Sequence, residues 1–142
     1  MKTIVYPFIC VLILTLSLGC GKNCSVSGRV TFPDGTPLTM GEVAFETDVF
    51  YGSGRIDSDG YFKMGSSNPG DGIPRGTYRV SILNVMVPTE VFTAGPDRPP
   101  KLIFPKEWPI DQKFTSPGTS GLTCEVKGRT KFDITVEKPS AK

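Results

Sequence analysis

Stretches of strict alternation between polar and apolar residues constrain this chain more than any other feature. Ser25-Val-Ser-Gly-Arg-Val-Thr-Phe32 alternates, and Thr77-Tyr-Arg-Val-Ser-Ile82 and Lys131-Phe-Asp-Ile-Thr-Val-Glu137 do so more cleanly. A period of two sends successive side chains to opposite faces, so each stretch reads as a strand with one wet face. A parallel sheet covered on both sides would show continuous apolar runs instead, which leaves antiparallel sheets packed face to face. Pro33-Asp34-Gly35, Asp59-Gly60 and Gly128-Arg129 supply turn residues between the strands. Gly and Pro number 16 and 13 of 142 residues, well above the usual combined share of roughly 12%. No dozen-residue window carries a helical stripe. Strands are therefore expected near 25–32, 42–48, 51–57, 61–65, 77–86, 122–127 and 131–137. Packed as two sheets, they make an all-β, about seven-stranded antiparallel β-sandwich. Its core would hold Val30, Phe32, Val43, Phe45, Phe62, Tyr78, Val80, Ile82, Val126, Phe132, Ile134 and Val136.

The N-terminus has a different character. Met1-Lys2-Thr3 precedes the apolar run Ile4–Leu18, which is followed by Gly19-Cys20-Gly21-Lys22. One positive charge, a short apolar stretch and a small residue before a polar segment describe an export signal over residues 1–19. An uncleaved membrane anchor is the other reading, since the uncharged stretch from Thr3 to Gly21 approaches the length of a membrane-spanning helix. The segment resembles a bacterial lipoprotein signal, which implies lipidation of Cys20 as the mature N-terminus, with 20–24 as linker. Ser17 and Leu18 occupy places where that signal usually has Leu and a small residue. Ser17-Leu18-Gly19 also suits ordinary cleavage, so the same bond can be cut without lipid being added.

Cys10 would leave with the signal, and lipid on Cys20 would leave Cys24 and Cys124. Each shares the parity of inward-facing neighbours on its strand, so the pair is either a disulfide of an oxidising compartment or two buried free thiols. A zinc site built on Cys20 and Cys24 lacks any second ligand pair.

Chemistry is narrowed by the absence of histidine, which removes Ser-His-Asp and Cys-His catalysis and HExxH zinc sites. A net charge of +2 spread along the chain gives no nucleic-acid footprint. No catalytic residue and no cofactor are expected. Asp57, Asp59 and Asp71 form a weak calcium candidate, set against the plainer reading of two Gly-containing turns. Paired carboxylates for glycoside hydrolysis need a cleft that so small a sandwich seldom forms. Lys113 with Ser116 or Ser120 shows no nucleophile motif. The segment from Val87 to Gly121 holds seven prolines and one short strand candidate at Leu102–Phe104. Trp108, Phe104 and Phe114 lie there, off the strand framework. Either they contact a ligand or they fold back as a lid over one end of the sandwich.

Across 25–137 the chain resembles the carboxypeptidase regulatory-like domain, a transthyretin-type (prealbumin-like) sandwich. The resemblance rests on Val26-Ser-Gly-Arg-Val-Thr-Phe32, Asp34-Gly-Thr-Pro-Leu38, Gly54-Arg-Ile-Asp-Ser-Asp-Gly-Tyr-Phe62 and Ile73-Pro-Arg-Gly-Thr-Tyr-Arg-Val80. Lys113-Phe-Thr-Ser-Pro-Gly-Thr-Ser-Gly-Leu122 is similar to a group of small planctomycete-type lipoproteins. Residues 138–142 form a tail. The resemblance implies a non-catalytic module with a structural or protein-interaction role in the cell envelope. Its membrane contact would be the N-terminal lipid, at the outer membrane sooner than the inner, because Gly21 replaces a retaining Asp. The catalytic relatives are set aside: the peptidase unit is absent, and the hydroxyisourate hydrolases need histidines and a C-terminal Tyr-Arg-Gly-Ser that this chain lacks. The alternative is a carbohydrate-binding module of the cell surface using the loop around Trp108. The partner would then be an envelope protein or a glycan.

Overall fold

The computed structural model describes residues 22–86, 90–92 and 101–140. Cys20 and the signal segment lie outside them. The described chain runs β1 (Val26–Thr31), β2 (Glu42–Glu46), β3 (Tyr51–Arg55), β4 (Tyr61–Lys63), β5 (Gly76–Leu83), β6 (Glu90–Phe92), β7 (Lys101–Ile103), a 3-10 turn η1 (Gln112–Thr115), β8 (Leu122–Val126), β9 (Thr130–Lys131) and β10 (Ile134–Thr135). One sheet has the order β3-β2-β5-β8, the other has β10-β1-β4 with β9 also on β1, and β6 with β7 makes a separate ribbon. The all-β sandwich is thus present. None of the described helices is long and apolar enough to cross a membrane.

Ten strands are described where about seven were expected, the β6–β7 ribbon being one addition, and the last expected strand departs further. The expected strand 131–137 is broken into β9 and β10, and both pair with β1 in parallel, through Val26↔Thr130 and Val30↔Ile134. The break has a local cause. Asp133 turns its Oδ1 to accept the Arg29 N–H at 3.0 Å, and the Phe132 carbonyl presses on Gly28. A Cβ at Gly28 would lie 1.9 Å from that oxygen, so only glycine admits this approach. In the second sheet the register is regular, with Val43↔Ile82 and Phe45↔Val80 between β2 and β5 and Tyr78↔Cys124 between β5 and β8.

Alternation places the core as expected. Val30, Val43, Phe45, Phe62, Tyr78, Val80, Ile82, Val126, Ile134 and Val136 are buried, while Phe32 and Phe132 are partly buried against them. Phe45 meets Tyr78 at 5.8 Å and Phe132 at 5.9 Å between ring centroids, tilted and edge-on respectively, geometries that aromatic quadrupoles favour. Ile73, Ile110 and Phe114 join this core from outside the strands. Ala44 and its register partner Ser81, on the opposite face of β2 and β5, are buried too, and among the described residues the Ser81 hydroxyl has no hydrogen-bond partner.

The strands give the sandwich two ends. At the near end the chain enters through the Cys24↔Ile73 bridge, beside the Gly76↔Val126 and Val26↔Thr130 pairs. The far end holds Phe32, the Asp57–Gly60 turn, Leu83 and Val136, whose N–H donates to the Thr31 carbonyl. At about 3.3 Å per residue, the eight steps from Cys24 to Phe32 separate the ends by roughly 26 Å.

Candidate functional site

The far end is closed by the segment between β7 and β8, and its fastening explains the concavity beside it. The Asp111 N–H donates to the Glu137 carbonyl at 2.8 Å, tying the segment to the chain just past β10. The Asp111 carboxylate accepts the Lys113 N–H at 2.9 Å as the cap of η1. Lys113 Nζ in turn reaches Glu137 Oε2 at 2.7 Å, and this ion pair lifts the Lys113 ammonium above its ordinary pKa. Ile110 and Phe114 drop into the core, 0% and 5% exposed. Downstream, the Ser120 hydroxyl donates to the Val80 carbonyl and accepts the Leu122 N–H.

Trp108, two residues before the buried Ile110, is left on the rim and is 36% exposed. It borders an open groove of about 1110 Å³. Apolar walls come from Trp108, Phe32, Pro109 and Pro139, and polar groups from Glu107, Asp111, Gln112, Lys138 and Ser140. Lys138 Nζ sits 5.6 Å from the Phe32 ring centroid, a cation–π distance. An aromatic floor with carboxylate, amide, hydroxyl and ammonium groups around it suits an extended peptide or a sugar chain. Phe104 is 48% exposed at the end of β7, next to Leu102 and Ile103, which are 48% and 41% exposed.

The three aromatics expected to act together are therefore separated. Trp108 lines the groove, Phe104 is exposed beyond β7, and Phe114 is corrected from ligand contact to core plug, because η1 turns its ring inward. Ile110 and Phe114 close the sandwich as a lid, whereas Trp108 stays at its rim. Phe32 and Lys138–Ser140 were not expected at a site. Phe32 is the last apolar residue before Pro33, where β1 has ended and its ring overhangs the core. Lys138 to Ser140 belong by sequence to the tail and by contact to the groove wall.

The acidic candidates are not brought together. Asp57 Oδ1 accepts the N–H groups of Asp59 and Tyr61, both at 2.9 Å, across a turn in which Gly60 has φ 83°. Asp71 accepts the N–H groups of Ser66, Ser67 and Asn68 at 2.7, 3.2 and 3.1 Å, and these amides hold its carboxyl below the usual range. Among the described residues no three of His, Cys, Asp and Glu gather to hold a metal ion. Cys24 and Cys124 are buried free thiols, and burial pushes the Cys124 thiol pKa up. In the Lys113–Ser120 pair, the amine faces Glu137 and the hydroxyl faces backbone, so neither is set to activate the other.

No family model matches the chain, and no curated protein matches it. Among solved structures it is similar to a DUF3823 family protein from Parabacteroides merdae, at 17% identity and TM-score 0.43, covering 81% of this chain and 46% of that one. It is also similar to part of a 9R-lipoxygenase from Cyanothece, at 18% identity and TM-score 0.40, covering 82% of this chain and 17% of that one. This chain thus spans less than half the length of either neighbour, and neither likeness bears on its activity.

Proposed function

We propose that this protein is an exported, non-catalytic β-sandwich module of the carboxypeptidase regulatory-like kind. It is held to the cell envelope by lipid on Cys20 and serves a structural or protein-interaction role, at the outer membrane sooner than the inner. One observation carries the reading: a groove of about 1110 Å³ lies at the far end of the sandwich, roughly 26 Å by strand length from where the chain enters. A module tethered at its near end would present that groove away from the membrane. The state of the candidate reactive groups supports a binding role, since Ser120, Lys113, Asp57 and Asp71 are all occupied by fixed intramolecular bonds.

A photo-crosslinking residue in place of Trp108, with a control at the exposed Tyr61 on β4, tests this in intact cells. A discrete protein adduct from position 108 alone is the expected result, and equal labelling at both positions would overturn it. Radiolabelled fatty acid should enter the wild type and not Cys20→Ser.

The alternative is carbohydrate binding, favoured by the pairing of the partly exposed Trp108 ring with Glu107, Asp111 and Gln112 around one groove. Glycan-array binding by the wild type that disappears in Trp108→Ala would establish it in place of the protein partner.

A further inference from the structure

At the far end unpaired charges of both signs are mixed: Asp34, Asp57, Asp59, Glu107 and Asp111 stand with Arg55, Lys106 and Lys138, none in an ion pair among the described residues. At the near end the same holds for Lys22, Arg75 and Arg129, all exposed. These three converge although they are distant in sequence. Lys22 precedes the Cys24↔Ile73 bridge, Arg75 precedes β5, and Arg129 with Lys127 forms the turn between β8 and β9. Nearby acids are already engaged. Asp48 pairs with Arg79 at 2.9 Å, Glu125 pairs with Lys127 at 3.3 Å, and Asp71 is turned onto loop amides, while Glu46 lies opposite Arg79 in register. The same end carries Val49 at the tip of the β2–β3 hairpin, 96% exposed. That aliphatic tip is on the same end as the unpaired cations, beside the Asp48–Arg79 ion pair.

We infer that this near end rests on an anionic lipid surface, with Lys22, Arg75 and Arg129 facing headgroups and Val49 dipping between them. The occupant follows from where the described chain starts: Lys22 emerges four residues after the apolar run Ile4–Leu18, so whatever membrane that segment or its lipid enters meets this end first. Basic residues next to a membrane attachment are drawn to anionic leaflets, each contributing about 1 kcal/mol, and one lipid chain anchors weakly without a second signal. The inference rests on the envelope-anchor reading and adds a footing that fixes orientation: cationic end down, groove end outward.

Limited trypsinolysis of the full processed chain on vesicles tests it with an internal control. On vesicles containing phosphatidylglycerol, cutting at Lys127 and Arg129 should be at least about fivefold slower than on phosphatidylcholine vesicles, while cutting at Lys106 stays equal. High salt or Arg75→Glu should restore near-end cutting. Equal rates at both ends on a vesicle-bound chain would overturn the footing and leave the anchor reading standing. A chain that floats with neither vesicle would remove the anchor reading, and the footing with it. Near-end protection on native envelopes but not on anionic vesicles would assign the surface to a protein partner and overturn the lipid assignment.

Discussion

The strand framework and the segment that closes its far end bury side chains by different rules. In the framework, position along the strand decides. Val43 and Phe45 point inward because they share a parity, and they stay inward because sheet pairing forbids a one-residue slip. In the closing segment no period applies. Ile110 and Phe114 are inside and Phe104 and Trp108 outside because of three tethers: the backbone bond from Asp111 to Glu137, the Lys113–Glu137 pair and the Ser120 bond to Val80. A framework ring is placed by its own strand, whereas a segment ring is placed by whatever fastens its neighbours. That freedom lets one segment hold both a core plug and a displayed tryptophan.

The contrast can be broken or sharpened by substitution. The largest effect should come from the framework. Phe45→Ala, at the centre of the ring cluster, should cost about 5 kcal/mol in denaturant unfolding, the upper end for such truncations. Phe114→Ala should cost about 3 kcal/mol, since its site lies at the rim and can partly collapse. A cost within experimental error would mean that η1 does not plug the core. Ser81→Ala should stabilise by about 1 kcal/mol, because it removes a buried hydroxyl that no group among the described residues satisfies. A loss of similar size would reveal an unseen partner. Trp108→Ala should change stability by no more than about 0.5 kcal/mol.

Two further expectations concern titration. The Asp71 carboxyl is held below its ordinary value by the amides of Ser66 to Asn68. Its stabilising contribution is therefore complete above the unfolded-state pKa near 3.8 and is lost as pH falls through the lower folded-state value. Asp71→Asn should flatten the acid limb of the stability profile, and an unchanged limb would contradict the loop geometry. Cys124 should resist alkylation in the native state at mildly alkaline pH, and it and the buried Cys24 should both react on unfolding. Intact mass before and after reduction checks that they stay unbridged.

Most of the framework could be read from the chain alone because a period of two names a face without knowledge of the partner. The core residues from Val30 to Val136 follow from that parity, and Gly60 from its turn. The parallel pairing of β9 and β10 could not be read, since it depends on the Phe132 carbonyl crowding Gly28 from a strand more than a hundred residues away. Nor could the groove. Trp108 was recognisable as a ring with no strand to place it. Phe114 carried the same signal and went inward, because the cap made by Asp111 and the ion pair to Glu137 are contacts that no local pattern announces. Phe32 and Pro139 become groove walls only when the two chain ends are folded together.

Trp108 is displayed while its neighbours hold the segment down. As the single tryptophan of the chain, it reports without labelling. Iodide quenching of its fluorescence in the folded full chain should show a red-shifted, readily quenched emission that Phe114→Ala perturbs only together with global stability. A blue-shifted emission protected from iodide until unfolding would place the ring beneath a lid and contradict the groove.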